Sequence, residues 1–105
     1  MSAKVLAFDL DGICSNETET DLLPGSWTCR SPNDRVRQLM YRARNAGYTV
    51  VVYTGRGEIY RRITEDWLQI NGFPYHFLVM GKAYYTYLVD DRARTVAEVE
   101  DILGG

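Results

Sequence analysis

Four short apolar runs, at residues 4–8, 48–53, 75–80 and 85–89, are separated by stretches with a different rhythm. Each run is too short and too continuous for an amphipathic helix and reads as a buried strand. The second is β-branched at Thr49, Val50, Val51 and Val52, which suits a packed, pleated surface. Between the first two runs, Val36, Leu39, Met40 and Ala43 fall at i, i+3, i+4 and i+7 and make one apolar helix face. Ser31-Pro32-Asn33-Asp34 opens that helix, with Ser31 as cap, Pro32 at the first helical position and Asp34 as the capping acid. Gly47 closes it. A second helix, at residues 58–71, turns Ile59, Ile63, Trp67 and Ile70 inward and stops at Gly72. Thr95 and Glu98 form a capping box for a third, whose apolar face uses Val96, Val99 and Leu103.

Strand and helix alternate, and strands this apolar suit burial on both sides. The pattern predicts a single α/β domain over residues 1–105, a doubly wound parallel sheet of Rossmann-like type in three α/β/α layers. Periodicity lapses only at 14–30, where Glu17, Glu19 and Asp21 precede Pro24-Gly25 and an isolated Trp27. A loop of that length in a compact domain is often functional, and this one reads either as a flap over whatever site follows the first strand or as a solvated excursion with Trp27 folded back on the core.

Composition narrows the classes. With 105 residues and a net charge of −2, the chain holds one core and lacks the basic surface of a broad nucleic-acid binder. Its two cysteines, Cys14 and Cys29, make no disulfide framework, and neither they nor His76 fall at zinc-ligand spacing. No segment has membrane-spanning length and no signal peptide precedes the first strand. These features predict a cytoplasmic protein with free thiols.

Chemistry gathers at the strand ends. The first run drives into Asp9-Leu10-Asp11-Gly12, which places two carboxylates at i and i+2 on one side of an extended chain before a glycine turn. Such a pair is costly without a cation, and a hard divalent ion is the simplest partner. The second run ends in Thr54-Gly55-Arg56, Lys82 follows the third, and the fourth ends in Asp90-Asp91. In an open parallel sheet ligands bind at the carboxyl ends of the strands, so these groups are expected to converge on a phosphate site.

The set resembles the haloacid dehalogenase-like hydrolase superfamily, and within it the small capless phosphatases. Asp9-x-Asp11, Thr54, Lys82 and Asp90-Asp91 match the family's four motifs in order. The resemblance implies Asp9 as nucleophile, forming an aspartyl-phosphate, and Asp11 as acid and then base. It implies Mg²⁺ on Asp9, on Asp11 through its backbone carbonyl, and on Asp91 or Asp90. Thr54 would hold phosphate oxygens and Lys82 would offset charge, with Gly55 and Arg56 gripping the substrate.

With no room for a large cap, the expected substrate is a sugar phosphate, a nucleotide or a polynucleotide phosphate end, and a second subunit could complete the site. Thr54-Gly55-Arg56 resembles the Ser/Thr-Gly-Arg of polynucleotide 3′-phosphatases. Two other readings compete, a non-catalytic phosphate- or partner-binding domain and a phospho-receiver domain. The latter needs an acceptor Asp at the end of the third strand, where this chain has none. His76 and Cys14 read as structural, and Tyr84, Tyr85 and Tyr87 as packing residues, one of which could stack on a substrate ring.

Overall fold

The computed structural model describes residues 4–16, 30–83 and 85–104. Its sheet has three parallel strands, β1 (Val5–Asp9), β2 (Thr49–Tyr53) and β3 (Phe77–Val79), with β2 in the centre. Pairing runs from Val5↔Thr49 to Asp9↔Tyr53 on one side and from Val51↔Phe77 to Tyr53↔Val79 on the other. The register leaves Asp9, Tyr53 and Val79 abreast at the carboxyl end. At the opposite end His76 prolongs the ladder twice over. Its N–H donates to the carbonyl of Val50 (2.8 Å), and its Nδ1 accepts the N–H of Val50 (2.9 Å).

Helices cross between the strands, as parallel pairing requires. α1 (Asp34–Asn45) links β1 to β2, and α2 (Arg61–Ile70), entered through a 3-10 turn at Glu58–Tyr60, links β2 to β3. α3 (Val96–Ile102) comes last. One apolar cluster joins Phe8, Val50, Val52 and Leu78 of the sheet to Val36, Leu39, Met40 and Ala43 of α1, Trp67 and Leu68 of α2, and Val99 of α3. Strand alternation sends the other side chains away from it, and Val5, Phe77 and Val79 are exposed. Among the described residues the molecule is therefore an α/β fold of Rossmann-like type, a three-stranded parallel sheet with helices packed on one well-covered face.

Three local expectations change. α1 is capped by Asn33, whose side chain accepts the N–H of Val36 (3.2 Å), while Ser31 and Pro32 instead meet Asn16 and Ser15. On α2 the buried stripe is Thr64, Trp67 and Leu68, and Ile59 and Ile70 face solvent. The 3-10 turn takes up residues 58–60, so the helix begins later and its inner face rotates off the expected positions. Finally, no strand forms at 85–89 among the described residues; Val89 is fully exposed and Tyr87 nearly so. Tyr, Leu and Val favour strands only when a ladder and a packed face receive them, and here the sheet stops at β1. Residues 17–29, which hold most of the expected flap with Trp27 and Cys29, lie outside the described residues, as does Tyr84.

Candidate active site

β1 delivers its two acids around a core residue. Leu10 is buried, so Asp9 and Asp11 on either side of it face away from the core. Gly12 then turns the chain with φ +85°, a region that favours glycine. The turn is closed by N–H groups of Cys14 and Ser15 on the carbonyls of Asp9 (3.3 Å) and Leu10 (3.0 Å).

The loops after β2 and β3 are stitched to each other. Thr54 donates its N–H to Val79 (3.0 Å) and its carbonyl accepts the N–H of Lys82 (3.0 Å). Gly81, at φ +76°, lets its own N–H reach the carbonyl of Arg56 (2.8 Å). This places Lys82 Nζ 3.1 Å from Asp9 Oδ1, across the end of β2. Asp9 keeps 44% of its side chain exposed, so its carboxylate is open to a ligand. The Lys82 ammonium also stands 5.2 Å and 5.9 Å from the rings of Tyr53 and Tyr85, both exposed, within cation–π range.

Asp11 is gripped by two guanidinium groups. Arg56 donates Nη2 to Oδ1 (2.7 Å) and Nε to Oδ2 (3.3 Å), and its Nη1 donates to Thr64 Oγ1 (3.0 Å). Arg30 donates Nη1 to the same Oδ1. The Arg30 and Arg56 side chains are 1% and 5% exposed. Nothing in the sequence marked Arg30, which ends an aperiodic stretch. Its backbone is fixed by Trp67, whose Nε1 donates to the Arg30 carbonyl (3.0 Å) while its ring stacks on Phe73. Thr54 is buried, and its Oγ1 accepts the N–H of Arg56 (3.2 Å), so its own hydrogen remains to be donated. Gly55 lies in the turn between them. Cys14 is buried beside the acids, and burial first, then the charges of Asp9 and Asp11, push its thiol far up from its ordinary value.

The structure thus brings Asp9, Asp11, Thr54, Arg56 and Lys82 together and adds Arg30. It does not bring Asp90 and Asp91 to them. Both are exposed; Asp90 accepts the N–H of Arg92 (2.6 Å) and Asp91 stands 3.9 Å from the Arg92 guanidinium. With no strand at 85–89 to carry them to the sheet end, they line a separate open hollow with Val89 and Arg92. Among the described residues no three His, Cys, Asp or Glu side chains are grouped to hold a metal ion. Asp9 is engaged by Lys82 and Asp11 by arginines.

What remains is an α/β sheet whose carboxyl edge presents two acids, a lysine, a buried threonine and two buried arginines, a set suited to an anionic, oxygen-rich ligand. No protein-family model matches the chain, and no curated protein does. Solved structures share its fold. A structural-genomics target protein from Vibrio cholerae superposes with a TM-score of 0.72 at 22% identity, over 91% of this chain and 86% of that one. A chain of the Pnkp1/Rnl/Hen1 complex superposes at 0.67 with 26% identity, over 95% of this chain. A second structure, described as that RNA repair complex, gives the same score and identity over 96%. This chain spans only 33% and 30% of those two longer chains. Among the described residues, no helix is long and apolar enough to cross a membrane.

Proposed function

We propose that the protein is a phosphomonoester hydrolase working through an aspartyl-phosphate on Asp9. One observation carries the reading: Asp9, Thr54 and Lys82, from three different strand ends, meet at the carboxyl edge with Lys82 Nζ 3.1 Å from Asp9 Oδ1. An exposed carboxylate oxygen of Asp9 attacks phosphorus, and the bond to the ester oxygen breaks. Lys82, already beside Asp9, offsets the charge shared by nucleophile and phosphoryl group. The Thr54 hydroxyl donates to a phosphoryl oxygen. Asp11 hands a proton to the departing alkoxide and later takes one from the water that cleaves the acyl-phosphate.

A polynucleotide phosphate end is the substrate class favoured over a sugar phosphate. Two observations support it beside the Thr54-Gly55-Arg56 turn. The exposed rings of Tyr53 and Tyr85 border the site and offer faces on which a base can stack. A similar fold also occurs in a chain of an RNA repair complex.

A second reading, a phosphate-binding domain without turnover, is favoured by the engagement of both acids in ion pairs. Release of inorganic phosphate separates the two. Sugar phosphates, mononucleotides and a 3′-phosphorylated oligonucleotide are offered to wild type and Asp9→Asn, with and without Mg²⁺, the ion that the resemblance implies. The expected result is release fastest from the oligonucleotide and reduced to background in the variant. Equal, negligible release from both proteins on every substrate would leave the non-catalytic reading.

A further inference from the structure

The two arginines on Asp11 are built into the fold rather than laid on its surface. Arg56 meets the carboxylate with a two-pronged fork, is steadied from behind by Thr64 Oγ1 (3.0 Å), and shares Asp11 Oδ1 with Arg30. Arg30 is reached from another part of the chain, and the indole of a core tryptophan pins its carbonyl. Planar guanidinium forks match carboxylate and phosphate oxygens almost equally well. A pair of them converging on one carboxylate oxygen is thus already shaped for a tetrahedral oxyanion, with an internal acid in its place.

We propose that Arg30 and Arg56 form an anion clamp, that Asp11 occupies it in the empty site, and that a substrate phosphate displaces Asp11 from it. The inference rests on the phosphatase reading for its biological sense, since the displaced Asp11 is the group proposed to carry the proton. While it accepts from both forks, Asp11 has its oxygens engaged and is not placed to hand on a hydrogen. Transfer of the forks to phosphate both holds the substrate and releases the acid. Arg30 becomes a direct ligand of the phosphate and, through Asp11, a device that withholds acid catalysis until the site is filled. The exchange breaks no covalent bond, and the freed Asp11 carboxylate then takes from solvent the proton that it hands to the departing alkoxide.

Competition of this kind predicts opposite effects for the two partners. The probe is inorganic phosphate, titrated calorimetrically in magnesium-free buffer containing a chelator, so that neither turnover nor metal enters. Arg30→Gln weakens binding by about tenfold or more, as expected for loss of a charge-assisted contact. Arg30→Lys, which keeps the charge and loses the fork, falls between that variant and wild type. Asp11→Asn tightens binding, because the internal competitor has lost its charge. A variant that merely misfolds cannot bind phosphate more tightly, so the Asp11→Asn result stands apart from damage to the fold. Unchanged or weaker binding by Asp11→Asn overturns the clamp, as does unchanged binding by Arg30→Gln. The phosphatase reading stands or falls separately, on phosphate release from esters. Clamp behaviour without turnover would keep the anion site and discard the hydrolase, whereas turnover with no gain in Asp11→Asn would do the reverse.

Discussion

A thiol set beside two carboxylates at the end of a strand invites the role of nucleophile, and Cys14 is placed so that it cannot take it. Its sulfur lies in the core against Met40 Sδ (3.8 Å), and burial, reinforced by Asp9 and Asp11, favours the uncharged form. The thiolate is the reactive species, so Cys14 is expected to stay unlabelled by iodoacetamide in the native Cys29→Ser protein at mildly alkaline pH. It should label readily once urea unfolds the chain; rapid native labelling would contradict this placement. Residues of this kind were legible because their chemistry and their position in a run agree. Asp9 and Asp11 declare themselves by i, i+2 spacing at the end of an apolar strand, and Thr54 and Lys82 by following the next two. Arg30 had no such signature. It enters the site only because α2 and the turn after β1 fold around it, which is a tertiary fact with no local pattern.

At the scale of elements, α3 shows how far a short segment is held by its ends. Thr95 Oγ1 accepts the N–H of Glu98 (3.2 Å), and Glu98 Oε1 accepts the N–H of Thr95 (2.9 Å). Glu100 then ties the helix to α1 through Arg35. Loss of the cap in Thr95→Ala is expected to cost about 1 kcal/mol, measurable by urea unfolding. The backbone hydrogen bond from Thr95, helped by its side-chain bond, holds Glu98 below the usual carboxylate value, and the hydrogen bond from Arg35 does the same for Glu100. A depressed carboxylate stabilises the folded state above its unfolded value, and that contribution is lost as the pH falls through its folded value. α3 should therefore loosen in acid, modestly because Glu98 is exposed and Glu100 only half-buried, so solvent screens both. Amide protection in α3, taken relative to the intrinsic exchange rate at each pH, should fall at low pH before protection in β2, and Glu98→Gln should flatten the difference. The capping box could be read directly from Thr95 and Glu98. The start of α2 could not, because a 3-10 turn and an α-helical turn share residue preferences. Nor could the fate of 85–89, whose strand-forming side chains are exposed here instead of paired.

Across the whole molecule, parallel α/β organisation was readable from the alternation of runs, whereas the number of layers was not. Apolar strand residues show that a face can be buried, but only the path of the helices says which one is. Among the described residues α1, α2 and α3 feed one cluster, and Trp67 joins that cluster to the site. Its ring is stacked in the core on Phe73, and its Nε1–H holds the backbone of a clamp arginine. The protein consequently carries its own optical probe. Indole emission shifts with the polarity and hydrogen bonding around the ring, and in a Trp27→Phe background Trp67 is the sole source. Titrating phosphate into that variant should change its emission along the same curve that calorimetry gives, and Arg30→Gln should move that curve to about tenfold higher phosphate or beyond. The tryptophan that closes the core would then glow differently when the site is filled.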